Sequence, residues 1–280
     1  MRCFLNIALF SVLFLSSACS SNDDPTGGDN SPKRLIQLTI KEYPYEFGEV
    51  SSMGELYEQY KYNDKGLLVH KTLSHKSSNE AIGRFLDEFD YKYDDKGRLI
   101  QKDEYDFLQL QCRYKYTYNN IDSVETVLQY NGDGDLNTKL TFTYNQDKKV
   151  STVKEEKKWL GDYGYLHKYE YSGNNIKITS YRIDKEELFG IKNYEYDSHN
   201  NLLKETWTSG ETGKTSISSQ NSYIYDSNGR ITKHTHSDTF PNNKEIKEYF
   251  YNDDNTINKV VLSYSYKQYK SDLVYEYEYK

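Results

Sequence analysis

A tyrosine-rich unit that recurs at nearly regular spacing constrains this chain more than any other feature. Its clearest copy spans residues 91–99, where Tyr91 and Tyr93 lie two residues apart and therefore face the same side of a strand. Asp94 is a favoured first residue of a type I turn. Gly97 can take the left-handed conformation that closes such a turn with a bulge. The unit therefore predicts a β-hairpin.

The hairpin unit has degenerate copies along the rest of the chain. The last tyrosines of successive copies are 25 to 31 residues apart, at Tyr62, Tyr93, Tyr118, Tyr144, Tyr171, Tyr196, Tyr225, Tyr251 and Tyr279. A period of this kind indicates a repeat architecture. Each unit lacks helical periodicity and has room for two strands of about eight to ten residues with two turns. The sequence predicts an all-β antiparallel meander of about 18 strands over residues 34–280.

The two faces of the predicted sheet differ in polarity. Tyrosines alternate along the leading strand of each unit with charged residues, such as Lys61, Lys92, Glu170, Glu195 and Glu276. This pattern is typical of a sheet with one packed face and one face in water. An open sheet of this size would leave two edges exposed, so we expect a barrel or a flattened barrel. A membrane barrel needs an apolar outer band, which the charged face does not supply.

Two local features set the ends of the predicted elements. We expect the first strand to run from Arg34 to Tyr43 and to end at Pro44, because proline cannot donate to a ladder. Gly or Asn closes most turns after the tyrosines. The second turns differ from copy to copy, and we expect any local function to lie there.

The N-terminal residues have the pattern of a targeting segment. Arg2 supplies a short positive region, an apolar run of 12 residues follows, and small residues precede Cys19. A run this short indicates a cleaved signal over residues 1–18. Cys19 resembles the lipidated cysteine of a bacterial lipobox, although Leu15 stands four residues before it rather than three. Ordinary signal cleavage is the alternative interpretation.

A polar stretch over residues 19–33 follows, beginning with the lipidation candidate Cys19. Residues 20–24 resemble the acidic stretch that directs lipoproteins of Bacteroidota-type bacteria to the cell surface, with a plain polar tether as the alternative. The Gly-, Pro- and Ser-containing remainder has the composition of a flexible linker. The prediction is an outer-membrane lipoprotein exposed at the surface, with a periplasm-facing position left open.

The repeat itself also resembles a known family. The stretches Tyr93-Asp94-Asp95-Lys96-Gly97-Arg98-Leu99 and Tyr225-Asp226-Ser227-Asn228-Gly229-Arg230-Ile231 are similar to the YD or RHS repeat. Lipoproteins with degenerate copies of it resemble a Bacteroidota family of unknown function that has a porin-like, barrel-like fold. The resemblance implies an architecture and is nearly silent about activity. Large RHS proteins build shells around toxins, but this chain has neither their length nor a toxin-like terminal domain.

Charge and motifs narrow the functional classes. The net charge is -7, which argues against binding to a phosphate backbone and therefore against nucleic acid. No Ser-His-Asp arrangement, phosphate loop or metalloprotease motif occurs in the sequence. We therefore expect a protein that is not an enzyme and that needs no cofactor and no metal.

Several residues remain as candidates for local chemistry. Trp159 and Trp207 lie near variable turns, where exposed rings can stack on sugars, with packing under a turn as the alternative. His234, His236 and Asp238 share one strand face, as metal ligands do, although an exposed polar stretch is the favoured interpretation. The stretch from Asn131 to Asp135 has oxygen ligands at alternate positions but fails the EF-hand pattern, so a hairpin turn is preferred. Cys112 shares the tyrosine face and is predicted to be a small buried residue.

Two functions follow from these observations. The leading hypothesis is a non-enzymatic module anchored at the envelope that binds or scaffolds a glycan or a protein. The alternative is a carbohydrate hydrolase with carboxylates in the variable loops, which would need a cleft.

Overall fold

The computed structural model describes residues 34–46, 49–76, 84–158, 163–238, 244–265 and 269–280. The strands of this part of the chain follow one another as a meander. They are β1 (Leu35–Glu46), β2 (Glu49–Val50), β3 (Glu55–Tyr62), β4 (Leu68–Lys76), β5 (Arg84–Tyr93), β6 (Leu99–Asp106), β7 (Gln109–Tyr118), β8 (Val124–Asn131), β9 (Leu136–Tyr144), β10 (Val150–Lys157), β11 (Tyr163–Ser172), β12 (Asn175–Arg182), β13 (Glu187–Tyr196), β14 (Leu202–Ser209), β15 (Thr215–Tyr225), β16 (Ile231–Asp238), β17 (Lys244–Tyr251), β18 (Ile257–Tyr264) and β19 (Tyr269–Tyr279). No helix in the described ranges is long and apolar enough to cross a membrane.

Strand β1 closes the sheet into an 18-stranded antiparallel barrel. One of its edges pairs with β19, with Ile40 opposite Tyr275, and its other edge pairs with β3, with Leu38 opposite Tyr60. The two-residue strand β2 pairs only with the end of β1 and stands outside the count. The predicted all-β meander and its closure are confirmed.

The predicted end of the first strand is wrong. Pro44 lies inside β1, where it pairs with Ser271 of β19. The pairing with β3 stops earlier, at Glu42 opposite Glu55. Pro44 therefore has no β3 partner that would need its missing N–H. A sheet tolerates proline at such an unpaired edge position.

The turns that follow the tyrosines have the predicted bulged geometry. Asp94 accepts from the Gly97 amide through its carbonyl, and its carboxylate accepts from the Lys96 and Arg98 amides at 3.0 and 2.9 Å. Gly97 has a φ of 79°. The equivalent left-handed position is Asn200 or Asn255 in two other copies. It is Asp122 in one copy and Lys148 in another, which a rule of Gly or Asn does not anticipate.

The Gly-Arg pair of the two best copies links neighbouring hairpins. The Arg98 guanidinium donates to the Asp94 carboxylate at 2.7 Å, lies 4.6 Å from the ring centroid of Tyr118, and contacts Asp122 of the next turn. Arg230 repeats this arrangement with its own Asp226 and with the next copy's Tyr251 at 4.6 Å. The motif is therefore a structural connection between copies.

A tyrosine at or near the end of most copies makes a second connection between hairpins. The Tyr118 hydroxyl donates to the carbonyl of Leu99, the first residue of β6, at 2.8 Å. The same bond, 2.5 to 2.9 Å long, joins Tyr93 to Leu68, Tyr144 to Val124, Tyr171 to Val150, Tyr251 to Ile231 and Tyr277 to Ile257. Two of these bonds come from the tyrosine before the last one of the copy. Tyr277 takes the place of Tyr279, and Tyr223 donates to Leu202 while Tyr225 bonds Asp197. Phenol and carbonyl groups thus satisfy one another inside the packed face.

The tyrosine face lines the inside of the barrel. Cα partners in an antiparallel pair share a face, so the register places Val153 and Val260 on the tyrosine side, where they are 0% and 1% exposed. Side chains converge on the concave face of a closed sheet, which explains this burial. Lys61, Lys92 and Glu170 point outward and are exposed.

The two ends of the barrel differ in chemistry. We call the end with the turns that directly follow the tyrosine pairs the tyrosine end. The opposite end carries the turns that vary between copies, and we call it the variable end. Towards the variable end the inward positions bear ion pairs, including Lys102 with Glu104 at 2.7 Å and Lys192 with Glu205 at 3.1 Å.

Candidate functional site

The strongest candidate site is a group of four aromatic rings inside the variable end. Trp207 of β14 lies opposite Lys192 of β13, in the same register as the inward Tyr194. Its ring covers Gly190, where an added Cβ would stand 2.2 Å from the edge of the indole. A glycine in a strand interior often marks such a close approach. Trp207 therefore faces the lumen and lies against bare backbone.

A bulge brings a second ring to Trp207. On β12 and β13, Ser180 pairs with Gly190 and Tyr181 pairs with Leu188, so Phe189 is the extra residue. Bulges re-aim side chains. The Phe189 ring lies 5.4 Å from Trp207 and 4.7 Å from Tyr165, centroid to centroid, and the Phe189 residue remains 43% exposed.

Two tyrosines of β11 extend the group along the rim. Tyr163 lies 5.3 Å from Tyr165 in an edge-to-face arrangement, and the two hydroxyls are hydrogen-bonded. Burial and the neighbouring Tyr163 raise the pKa of Tyr165. We name Tyr163, Tyr165, Phe189 and Trp207 the aromatic cluster. Each of these rings has a partner at 4.7 to 5.4 Å, within the range in which aromatic pairs attract.

Paired charges surround the aromatic cluster. Arg182 lies 5.2 Å from the Tyr163 centroid and pairs with Asp184 at 2.8 Å. Lys157 lies 3.4 Å from Glu155 and 5.9 Å from the Tyr165 centroid. Lys192 and Glu205 form a third ion pair beside the rings, so the cluster is surrounded by three cations and three anions. The surface around the rings therefore carries many hydrogen-bonding groups and no excess charge.

His167 fixes one carboxylate of this surface. Its Nδ1 lies 2.8 Å from Ser180 Oγ and its Nε2 lies 3.4 Å from Glu155. Burial acts to raise the pKa of Glu155, but the hydrogen bond with His167 and the charge of Lys157 outweigh burial, so the net pKa is lowered. Glu155 is thus an ionised acceptor. A general acid at neutral pH needs the opposite shift.

The other sequence candidates have different outcomes. Trp159 and Cys19 lie outside the described residues, so their roles stay predictions. His234 and His236 are not an exposed stretch, because they lie in β16 and face the lumen. His234 Nε2 and His236 Nδ1 each lie 2.9 Å from Asn221 Oδ1. Within the described ranges, no three His, Cys, Asp or Glu side chains are grouped to hold a metal, Asp238 included.

The acidic turn after β8 is a hairpin turn, as preferred. Asn131 Oδ1 accepts from the Asp135 amide at 2.8 Å, and Gly134 has a φ of 92°. The oxygen that a calcium ion would need therefore caps the turn. Cys112 is fully buried, as predicted.

Sequence reasoning found Trp207 but missed Phe189, Tyr163 and Tyr165. The tyrosines of β11 precede the Tyr169–Tyr171 pair with the same parity, so extending the alternation backwards would have placed them inward. Gly190 within an apolar stretch was the available signal for the close ring. Nothing local marks the bulge at Phe189, because a bulge depends on the register of the neighbouring strand.

Known structures resemble this chain at low identity. A porin-like protein from Bacteroides uniformis shares 13% identity with a TM-score of 0.45, covering 88% of this chain and 99% of the other. A porin-like protein from Bacteroides vulgatus shares 12% with a TM-score of 0.40, covering 68% and 94%. The TcdB2–TccC3 structure shares 13% with a TM-score of 0.36, and the match covers 83% of this chain but only 13% of that one. No protein-family model and no curated protein matches the chain.

Proposed function

We propose that this protein is a non-enzymatic, lipid-anchored barrel that binds a glycan at its variable end. The aromatic cluster is the observation that carries the proposal. Rings bind sugars because the C–H faces of a pyranose are apolar, and a half-exposed phenylalanine such as Phe189 costs free energy in water that a ligand would recover. The balanced charges around the rings supply donors and acceptors for hydroxyl groups.

The position of the chain termini fits this orientation. The Arg34 amide donates to the Lys280 carbonyl at 3.2 Å, so both ends of the described chain meet at the tyrosine end. A tether from Cys19 to residue 33 would span at most about 50 Å. It would join the membrane to the tyrosine end and leave the variable end directed outward. The charged outer face of the barrel suits water.

No specific observation favours the hydrolase alternative. The inward carboxylates near the rings are engaged, Glu155 with His167 and Lys157, and Glu205 with Lys192. A glycosidase needs two carboxyl groups, a general acid with a raised pKa and an ionised partner that acts as nucleophile or base. The pKa of Glu155 is lowered, which is the opposite of what the acid of such a pair needs.

The aromatic cluster is tested by Trp207→Ala. With the full chain on an array of neutral and acidic glycans, the variant should bind at least about tenfold more weakly than the native protein, a loss of about 1.4 kcal/mol. Phe189→Ala should act similarly with less risk to folding, because Phe189 is half-exposed. Phe250→Ala, which removes an outward ring, is the matched control and should bind normally. Unchanged binding by both cluster variants would refute the proposed surface.

The anchor is tested by Cys19→Ala. Loss of the acylation site should release the protein from the membrane fraction into the soluble fraction, because stable attachment depends on the acyl chains. Ser20→Ala is the control and should stay with membranes. Retention of the Cys19→Ala protein in washed membranes would show that something other than lipid holds it there.

A further inference from the structure

A second concave surface lies on the rim beside β7, away from the rings. A cavity of about 370 Å³ opens between the start of β7 and the turn that joins β8 to β9. Its polar lining consists of the amides Gln109, Gln111, Asn131 and Asn137 and the carboxylate Asp133. The volume lies in the range of small-ligand sites. We name this feature the amide cavity.

The cavity owes its shape to one glycine. A Cβ at Gly132 would stand 2.1 Å from the Leu110 carbonyl oxygen, so only glycine allows the turn to lie this close to β7. The turn is held independently, since Asn131 Oδ1 is bonded to the Asp135 amide. The walls are thus built by backbone contacts and do not depend on the remaining lining side chains.

Three of the lining side chains have unused hydrogen-bonding capacity. Gln109, Asp133 and Asn137 make no side-chain hydrogen bond or ion pair with any residue in the described ranges. An amide offers two donors and an acceptor with two lone pairs, and a carboxylate offers acceptors only. Such a set matches adjacent hydroxyl groups, each of which donates once and accepts. The only formal charge among these three side chains is the negative charge of Asp133, which disfavours an anionic ligand.

An apolar tip adjoins the cavity along the chain. Phe107 and Leu108 form the two-residue turn before Gln109, with φ of 48° and 63°, and are 61% and 83% exposed. Turns of this kind favour Asn-Gly, because a side chain at positive φ costs roughly 1 kcal/mol. The chain therefore accepts strain to present a phenylalanine and a leucine beside a polar hollow. Apolar surface next to hydroxyl-binding groups is the combination that a sugar ring requires.

We propose that the amide cavity binds one neutral sugar residue of the glycan. The inference rests on the proposed function for the identity of the ligand class. Strand register relates the two surfaces, because Thr138, next to Asn137 on β9, pairs with Lys157 of β10, and Lys157 pairs with Tyr163 of β11. Two strand spacings, about 10 Å, therefore separate Asn137, at the near edge of the cavity, from Tyr163 of the aromatic cluster. A glycan of several rings can contact both.

The test uses a double variant, Asp133→Ala with Asn137→Ala, in the full chain. Neither side chain has a partner among the described residues, so the variant should keep native circular dichroism. A matched control, Asn120→Ala with Asp253→Ala, removes the same groups from turns at the tyrosine end. Calorimetric titration would use neutral oligosaccharides of glucose, galactose, mannose and N-acetylglucosamine.

We expect the cavity variant to bind its best oligosaccharide at least tenfold more weakly than the native chain and the control variant. Native affinity in the cavity variant, together with weak binding by Trp207→Ala, would overturn this inference and leave the proposed function in place. Weak binding by the cavity variant with native affinity in Trp207→Ala and Phe189→Ala would support the cavity and refute the aromatic cluster. Absence of binding to every neutral oligosaccharide by the native chain would overturn the cavity proposal.

Discussion

Raising the pH from 10 to 12 should unfold the barrel in one cooperative step. Burial of the inward rings is the first cause that raises the pKa of Tyr249 and Tyr277 from the ordinary 10.0 to about 12, and it raises the pKa of most other inward tyrosines. Their hydroxyls ionise at about pH 10 in the unfolded chain and later in the barrel. Above pH 10 the unfolded state therefore binds fewer protons, and stability falls with pH.

The size of the alkaline effect follows from the number of rings. Each tyrosine with a pKa raised in the folded state removes at most about 1.4 kcal/mol per pH unit between the two pKa values. Solvent screening reduces this for half-buried rings such as Tyr277. A domain is stable by only about 5–15 kcal/mol, so several tyrosines acting together are enough. Below pH 10 their contribution should be fully present and independent of pH.

The alkaline transition can be followed by two signals at once. Tyrosinate absorbance and far-ultraviolet circular dichroism should change together, with a midpoint above pH 10. Urea unfolding at several pH values should show a free energy of unfolding that is constant from pH 8 to pH 10 and then declines. Ionisation of all tyrosines near pH 10 with intact strands would mean that the tyrosine face is in contact with water.

Replacing Tyr169 by alanine should strongly destabilise the barrel. Its ring packs against the buried group that contains Cys112, Leu140 and Val153, and it lies opposite the buried Ile178. Removing a large ring from a packed core costs the transfer free energy and leaves a cavity. We expect a loss of about 3 kcal/mol in the free energy of unfolding.

The adjacent residue provides the control for Tyr169→Ala. Glu170 points outward, with a side chain that is 62% exposed and a surface contact to Lys177 at 3.2 Å. Glu170→Ala should change stability by less than about 0.5 kcal/mol. Denaturant unfolding of both variants measures the difference. Equal effects of the two substitutions would contradict the assignment of the inner and outer faces.

The candidate site was predicted less completely than the fold. The Asp94–Gly97 turn and the inward parity of the tyrosines follow from local rules, since a turn type and a period of two depend on neighbouring residues alone. Trp207 was singled out because it lies near a variable turn. Its actual neighbours are the Phe189 bulge and the tyrosines of β11, and these come together only through the register of four strands.

The sequence by itself determined the repeat, the hairpins, the bulged turns and the separation of a tyrosine face from a charged face. Each turn and each alternation is encoded within about ten residues, and the repeat is the recurrence of these local patterns every 25 to 31 residues. The tertiary structure alone decided that β1 closes the barrel between β19 and β3, that Pro44 is accommodated within it, and that the amide cavity forms where Gly132 meets Leu110. Closure and rim contacts join residues distant in sequence, and their pairing depends on the summed twist and register of all strands between them.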